Sequence, residues 1–176
     1  MGIALEHMPV WDPDLPLGGL TPEQIDKAKI LLWKGFCSVH QMFQTTHIER
    51  WRAQHPQGLV IAHPECRFEV CQQSDYVGST EYILKTVKAA AAGTQWLVGT
   101  ELNLVTRLAQ EVAHQGKQVE FMSPTVCMCS TMFRIDAEHL AWTLESLVAG
   151  KVVNPIRVPA DEARSAKQAL ERMLAL

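Results

Sequence analysis

The chain has 176 residues, 47% of them hydrophobic, a formal net charge of −3 and five cysteines; that is enough apolar material for a sizeable core in one domain, or one domain with part of another. Acidic and basic residues alternate along the whole length, so no basic stripe or polybasic patch offers itself to nucleic acid or to a membrane surface. No apolar run approaches the roughly 20 residues that a membrane span needs, and the opening MGIALEHMPVW has neither the basic nor the apolar region of a secretion signal, so the expected compartment is the cytoplasm, with Cys37, Cys66, Cys71, Cys127 and Cys129 kept as thiols.

Residues 1–19 are rich in Pro and Gly, show no period and read as loop. Thr21-Pro22-Glu23-Gln24 has capping-box spacing with Pro at the first helical position, which predicts a short helix to about Ala28. Residues 30–33 are expected as a short buried strand. Thr46 with Glu49 predicts a second capped helix, stopped near Pro56-Gln57-Gly58. Leu59-Val60-Ile61-Ala62 is apolar at every position, as a parallel strand covered on both faces requires. A helix over 68–73, a small strand at 76–77 and a helix capped by Ser79 or Thr80 follow, the last ending at Gly93. The pattern then repeats: strand 96–98, a Thr100-capped helix with Leu102, Val105, Leu108 and Val112 on one face, a stop at Gly116, and strand 118–121. Asp136 caps a helix that ends at Gly150, and Pro159 opens a final amphipathic helix.

Strands alternating with helices predict an α/β fold, a three-layer αβα sandwich with a short parallel sheet and C-terminal helices. In such a sheet ligands bind beyond the carboxyl ends of the strands. Three polar groups are expected at that edge: Cys37 with Ser38 and His40 after strand 30–33; His63-Pro64-Glu65 after strand 59–62, where Pro64 stiffens a turn holding an imidazole near a carboxylate that can move protons; and Gly78-Ser79-Thr80 at a helix start, a small anion seat. Each also has a plain structural reading as core thiol, turn or N-cap. A fourth group, Cys127-Met128-Cys129-Ser130-Thr131-Met132, follows strand 118–121. Structural zinc sites space their cysteines by two to four residues and use a second pair, which is absent, so zinc is a weak reading there. Separated cysteines such as Cys37 and Cys129 suit a cluster site instead.

Trp33-Lys34-Gly35-Phe36-Cys37-Ser38-Val39-His40, His63-Pro64-Glu65-Cys66, Tyr76-Val77-Gly78-Ser79-Thr80 and Cys127-Met128-Cys129-Ser130-Thr131-Met132 together resemble quinolinate synthase, in order and spacing as well as in composition. The resemblance runs from about Ile30 to the C-terminus. It implies three similar α/β domains around a central site, each giving one cysteine to a [4Fe–4S] cluster whose open iron is a Lewis acid. The reaction it implies condenses iminosuccinate with dihydroxyacetone phosphate, with loss of phosphate and water, to quinolinate in NAD biosynthesis, functionally linked to an L-aspartate oxidase or dehydrogenase. By the same resemblance Cys37 and Cys129 are cluster ligands, His40, His63 and Glu65 are catalytic, and His63, Pro64, Glu65, Ser79 and Thr80 bind substrate. Cys66 and Cys71 match no essential position and are expected to be structural, and Cys127 is a neighbour of a ligand.

Against that family pattern, residues 1–40 are expected to be the end of a truncated second domain, 41–132 a complete third domain and 133–176 a helical extension. The third cluster cysteine has no counterpart in the chain. The expectation is therefore a polypeptide that is inactive alone, a fragment or one half of a split enzyme whose N-terminal half is missing. The competing readings are a thiol or metal-binding module centred on Cys127 and Cys129, and a folded but chemically silent remnant.

Overall fold

The computed structural model describes residues 2–125 and 129–175. Two compact units make it up: Gly35–Arg134, and Met1–Lys34 together with Ile135–Leu176.

The chain starts in the second of these. Strand β1 (Val10–Trp11) and β2 (Leu32–Trp33) form a two-stranded parallel ribbon, with α1 (Pro22–Lys27) between them. The α1 capping box forms as the sequence predicts: Thr21 Oγ1 accepts from the Gln24 amide at 3.2 Å and Gln24 Oε1 from the Thr21 amide at 2.9 Å. The expected loop over 1–19 instead contains β1 and short 3₁₀ turns. One such turn carries Gly18 at φ +67°, directly beneath the Trp11 ring, where a Cβ would lie 2.3 Å from Cδ2; only glycine suits both the angle and the contact. The predicted buried strand over 30–33 is a correction too. Leu32 and Trp33 are exposed, because a ribbon of two short strands has no second layer to bury them, and β2 belongs to this ribbon and not to the main sheet.

The unit Gly35–Arg134 holds α2 (Ser38–Gln41), α3 (Thr45–Gln54), β3 (Leu59–Ala62), α4 (Phe68–Gln73), β4 (Tyr76–Val77), α5 (Thr80–Ala89), β5 (Gln95–Gly99), α6 (Leu102–Val112) and β6 (Gln118–Phe121). Its four strands are all parallel in the order β4-β3-β5-β6. Alternation along β3 and β5 divides the core into two layers. Val60, Ala62 and Leu97 face a cluster with Val39, Phe43, Ile48, Trp51, Val70 and Met122 from α2, α3, α4 and the loops. Ile61, Trp96 and Val98 face a second cluster with Ile83, Val87, Val105, Leu108 and Val112 from α5 and α6. Helices therefore cover both faces of a short parallel sheet, the αβα sandwich that the apolar runs predict.

Two predicted caps are displaced. The α3 cap is Gln44 with His47, not Thr46 with Glu49: the Gln44 backbone is extended and its amide donates to His47 Nδ1 at 3.3 Å. The α6 cap is Glu101, whose Oε2 accepts from the Leu104 amide at 3.1 Å, and the Thr100 hydroxyl is turned elsewhere. Gly116 at φ +68° stands at the stop the sequence predicts, whereas α5 ends at Ala89, short of the expected Gly93, with Ala90 extended as its C-cap.

Back in the unit where the chain starts, Asp136 caps α7 (Ala137–Val148), its carboxylate accepting from the His139 amide at 2.7 Å. Pro159 is the N-cap of α8 (Ala160–Leu174). No helix among the described residues is long and apolar enough to cross a membrane.

Candidate functional site

The order β4-β3-β5-β6 fixes where a site can form. From β3 the chain moves to β4 on one side, then returns to β5 on the other, so the loops after β3 and β5 diverge and leave a crevice between them. The loop after β3 is His63-Pro64-Glu65. The Cys66 amide donates to the His63 carbonyl at 3.0 Å, which closes a turn with Pro64 at its second position. The loop after β5 is Thr100-Glu101. The His63 amide donates to the Gly99 carbonyl at 2.9 Å, a further rung beyond the strands that holds the two loops side by side.

Cys37 and His40 arrive by a different route from the expected one. They are not carried by a strand of this sheet; α2 brings them, anchored by Val39 and Phe43 in the first core cluster. Two side chains fasten α2 to the His-Pro-Glu turn: Gln41 Nε2 donates to the Glu65 carbonyl at 3.0 Å, and Arg67 Nε donates to the Gln41 carbonyl at 2.7 Å. The His40 ring stacks on His63 with centroids 4.5 Å apart and planes 15° apart. Glu65 Oε2 lies 3.0 Å from His40 Nδ1 and 3.9 Å from His63 Nδ1, while the Glu65 amide donates to His63 Nδ1 at 3.3 Å.

His40 is buried, and its Nε2 shares a hydrogen bond of 3.4 Å with Thr100 Oγ1. Its Nδ1 has no hydrogen bond: Glu65 Oε2 is near enough but lies off the direction in which a ring N–H would point. Burial pushes the His40 pKa down, the neighbouring His63 pushes the same way, and the Glu65 carboxylate opposes both. The net effect is a neutral ring at neutral pH.

Ligating atoms of Cys37, His40 and Glu65 all lie within 4.8 Å of one another. Cys129 borders the same core cluster as Cys37, and its Sγ and Thr131 Oγ1 share a hydrogen bond of 3.1 Å. That bond and the Met132 amide hold the Cys129 thiol below its usual pKa, which favours the thiolate that binds metals. Cys127 lies outside the described residues. Cys66 and Cys71 are of another kind: Cys66 Sγ donates to the Gly99 carbonyl at 3.4 Å and Cys71 Sγ to the His63 carbonyl at 3.7 Å. Burial pushes the Cys66 pKa up to about 12 and raises that of Cys71 as well, so both remain protonated donors beneath the two loops.

Ser79 and Thr80 stand one strand away, at the carboxyl end of β4. The Tyr82 amide donates to Ser79 Oγ at 3.3 Å, the ordinary role of an N-cap. Among the described residues no hydrogen bond links either hydroxyl to the His40, His63 and Glu65 group.

Sequence reasoning missed Gln41, Arg67, Thr100 and Glu101 as parts of the site. Only Thr100-Glu101 carried a usable signal, since the residues just after an apolar run in a parallel sheet lie at the ligand edge. Glu101 is buried, and its Oε1 has no hydrogen bond.

The profile of the family described as Quinolinate synthetase A protein matches residues 4–175. The quinolinate synthase of Herpetosiphon aurantiacus is 52% identical over 99% of this chain and 46% of its own length. That of Rhodopirellula baltica is 51% identical over 100% of the chain and 45% of its own length, and that of a Nocardioides species 52% identical over 100% and 44%. The chain spans a little under half the length of these curated relatives. A match that runs from one end to the other, at about one identity in two, settles the lineage: the chain belongs to the quinolinate synthase family.

Proposed function

We propose that this chain forms the C-terminal part of a quinolinate synthase, condensing iminosuccinate with dihydroxyacetone phosphate in NAD biosynthesis. The observation that carries the reading is the meeting of Cys37, His40, His63 and Glu65 at the switch point of the sheet in a chain of this family. The domain reading remains that of a second-domain end at 1–40, a third domain at 41–132 and an extension at 133–176.

The donor set fits part of a [4Fe–4S] cluster. Cys37 and Cys129 both border one core cluster, and such clusters are held by cysteine thiolates, so these two would take two corners and a third thiolate would come from outside the 176 residues. When bound, the cluster supplies a Lewis-acidic iron to a substrate oxygen. The protein's own contribution is positional and protic. Glu65, exposed beside two imidazoles, accepts a proton from substrate carbon or nitrogen, and His63 returns one to a leaving hydroxyl. His40 and His63 also present a face to a dicarboxylate, while Ser79, Thr80 and the start of α5 seat the phosphate end. The reaction belongs in the cytoplasm, downstream of an L-aspartate oxidase or dehydrogenase.

Anaerobic reconstitution with iron and sulfide, followed by an iron count and a quinolinate assay, tests this. The chain alone should hold little cluster and turn over nothing. Mixed with a polypeptide comprising the N-terminal half of the Herpetosiphon relative, it should gain cluster and activity, and both should disappear in Cys37→Ser and in Cys129→Ser. Robust turnover by the lone chain, or a full cluster in Cys37→Ser, overturns the proposal.

A further inference from the structure

The Thr100 hydroxyl carries one proton, and the fold leaves it a single place to go. Thr100 is 1% exposed, and among the described residues its Oγ1 has one hydrogen-bond partner, His40 Nε2 at 3.4 Å. The residues on either side hold it in place: the Gly99 carbonyl accepts from the His63 amide at 2.9 Å, and Glu101 caps α6 through the Leu104 amide at 3.1 Å. His40 is itself buried, so the two groups meet where water does not reach. If Nε2 carried the imidazole proton and donated, the hydroxyl hydrogen would be buried without an acceptor. If the hydroxyl donates to Nε2, the proton of the neutral ring stands on Nδ1.

The other side of the ring favours the same proton. Glu65 Oε2 lies 3.0 Å from His40 Nδ1. A lone pair on Nδ1 facing a carboxylate oxygen at that distance is repelled, whereas an N–H there is attracted. The approach departs from a straight hydrogen bond, but the partners differ in freedom. The His40 ring is buried and stacked on His63 with centroids 4.5 Å apart, while the Glu65 side chain is 58% exposed and has room to turn. We infer that Thr100 is a positioning residue of the site: its hydroxyl donates to His40 Nε2, the ring proton stands on Nδ1, and that N–H is offered to the Glu65 carboxylate. This role rests on the reaction proposed above, in which Glu65 accepts the proton. It divides the work between the stacked histidines. His40, with its lone pair committed to Thr100 and its N–H to Glu65, orients the base, and His63 is the ring left to exchange protons.

Long-range ¹H–¹⁵N correlation spectra of the histidine rings test this in the full chain, metal-free and reduced, at about pH 8, where neutral rings dominate. The His40 resonances are those that vanish in His40→Gln. The parent and Thr100→Ser should show Nδ1 as the protonated nitrogen of His40. In the isosteric Thr100→Val the bare Nε2 resonance should move downfield, because it has lost its donor. A proton on Nε2 in the parent overturns the inference, as does an Nε2 resonance that Thr100→Val leaves in place. Should Thr100→Val fail to fold, the parent spectrum decides alone. In the mixture with the N-terminal half of the Herpetosiphon relative, Thr100→Val should lower kcat at least about tenfold with KM little changed, and Thr100→Ser should recover most of the loss. An unchanged kcat in Thr100→Val overturns the positioning role. A parent mixture without turnover counts against the functional reading alone, because the ring spectra need neither cluster nor substrate and still decide where the proton lies.

Discussion

At His47 a side-chain nitrogen substitutes for a carbonyl. The Gln44 amide donates to Nδ1 at 3.3 Å, a bond that exists only while the ring is neutral. Burial holds the His47 pKa below its ordinary 6.5, and Arg50 beside it adds to the effect. The unfolded chain therefore takes up this proton before the folded one does, so the contribution of His47 to stability is complete above about pH 6.5 and falls as the pH drops through that value. His47→Gln keeps an acceptor at the third helical position and removes the titration. Urea midpoints measured from pH 7.5 down to pH 5.5 should fall more steeply for the parent than for the variant, and parallel curves would refute the assignment. The residue types of the site were readable in advance at Cys37, His40, His63 and Glu65, because each sits in a short motif. Gln41, Arg67 and Thr100 were not, since a glutamine or threonine acquires its role only from the atom that the fold sets before it.

Among the helices, α5 ends on a buried cation. Lys117, 4% exposed, precedes β6 and donates from Nζ to the Val87 carbonyl at 3.0 Å and to the Lys88 carbonyl at 2.7 Å, satisfying two carbonyls of the last turn and opposing the negative end of the helix dipole. Lys117→Met keeps the stem and removes the donors, so it should cost about 1–3 kcal/mol in chemical denaturation. Strands β3 and β5 were legible as apolar runs of the right length, α5, α7 and α8 from their starts, and α6 from its apolar face. The α3 cap was not, because glutamine followed by histidine satisfies the same two amides as the favoured Ser-x-x-Glu pattern while lacking its letters. Strand β2 was misjudged as buried for a reason of scale: an apolar tetrapeptide predicts a strand, but burial depends on a second layer that local sequence does not encode.

For the molecule as a whole the two units differ in how their apolar side chains are disposed. Every buried hydrophobic residue among those described belongs to Gly35–Arg134. The other unit leaves Leu140, Trp142, Leu144, Leu147, Val148, Leu170 and Leu174 exposed along α7 and α8. Stability is accordingly uneven: hydrogen exchange should find the amides of β3 and β5 protected to the limit of global unfolding and those of α7 and α8 exchanging at least about tenfold faster. Equal protection in both would contradict this. Composition forecast ample core material, and only the structure shows that one unit keeps nearly all of it.

The rung from the His63 amide to the Gly99 carbonyl makes ligand affinity a report on strand alignment. Leu59 pairs with Trp96 and Ala62 with Gly99; a slip of one residue would reverse which side chains face each layer and carry the histidine loop about 3.3 Å away from Thr100. A chain that has zipped β3 against β5 out of step thus has no crevice to offer a ligand.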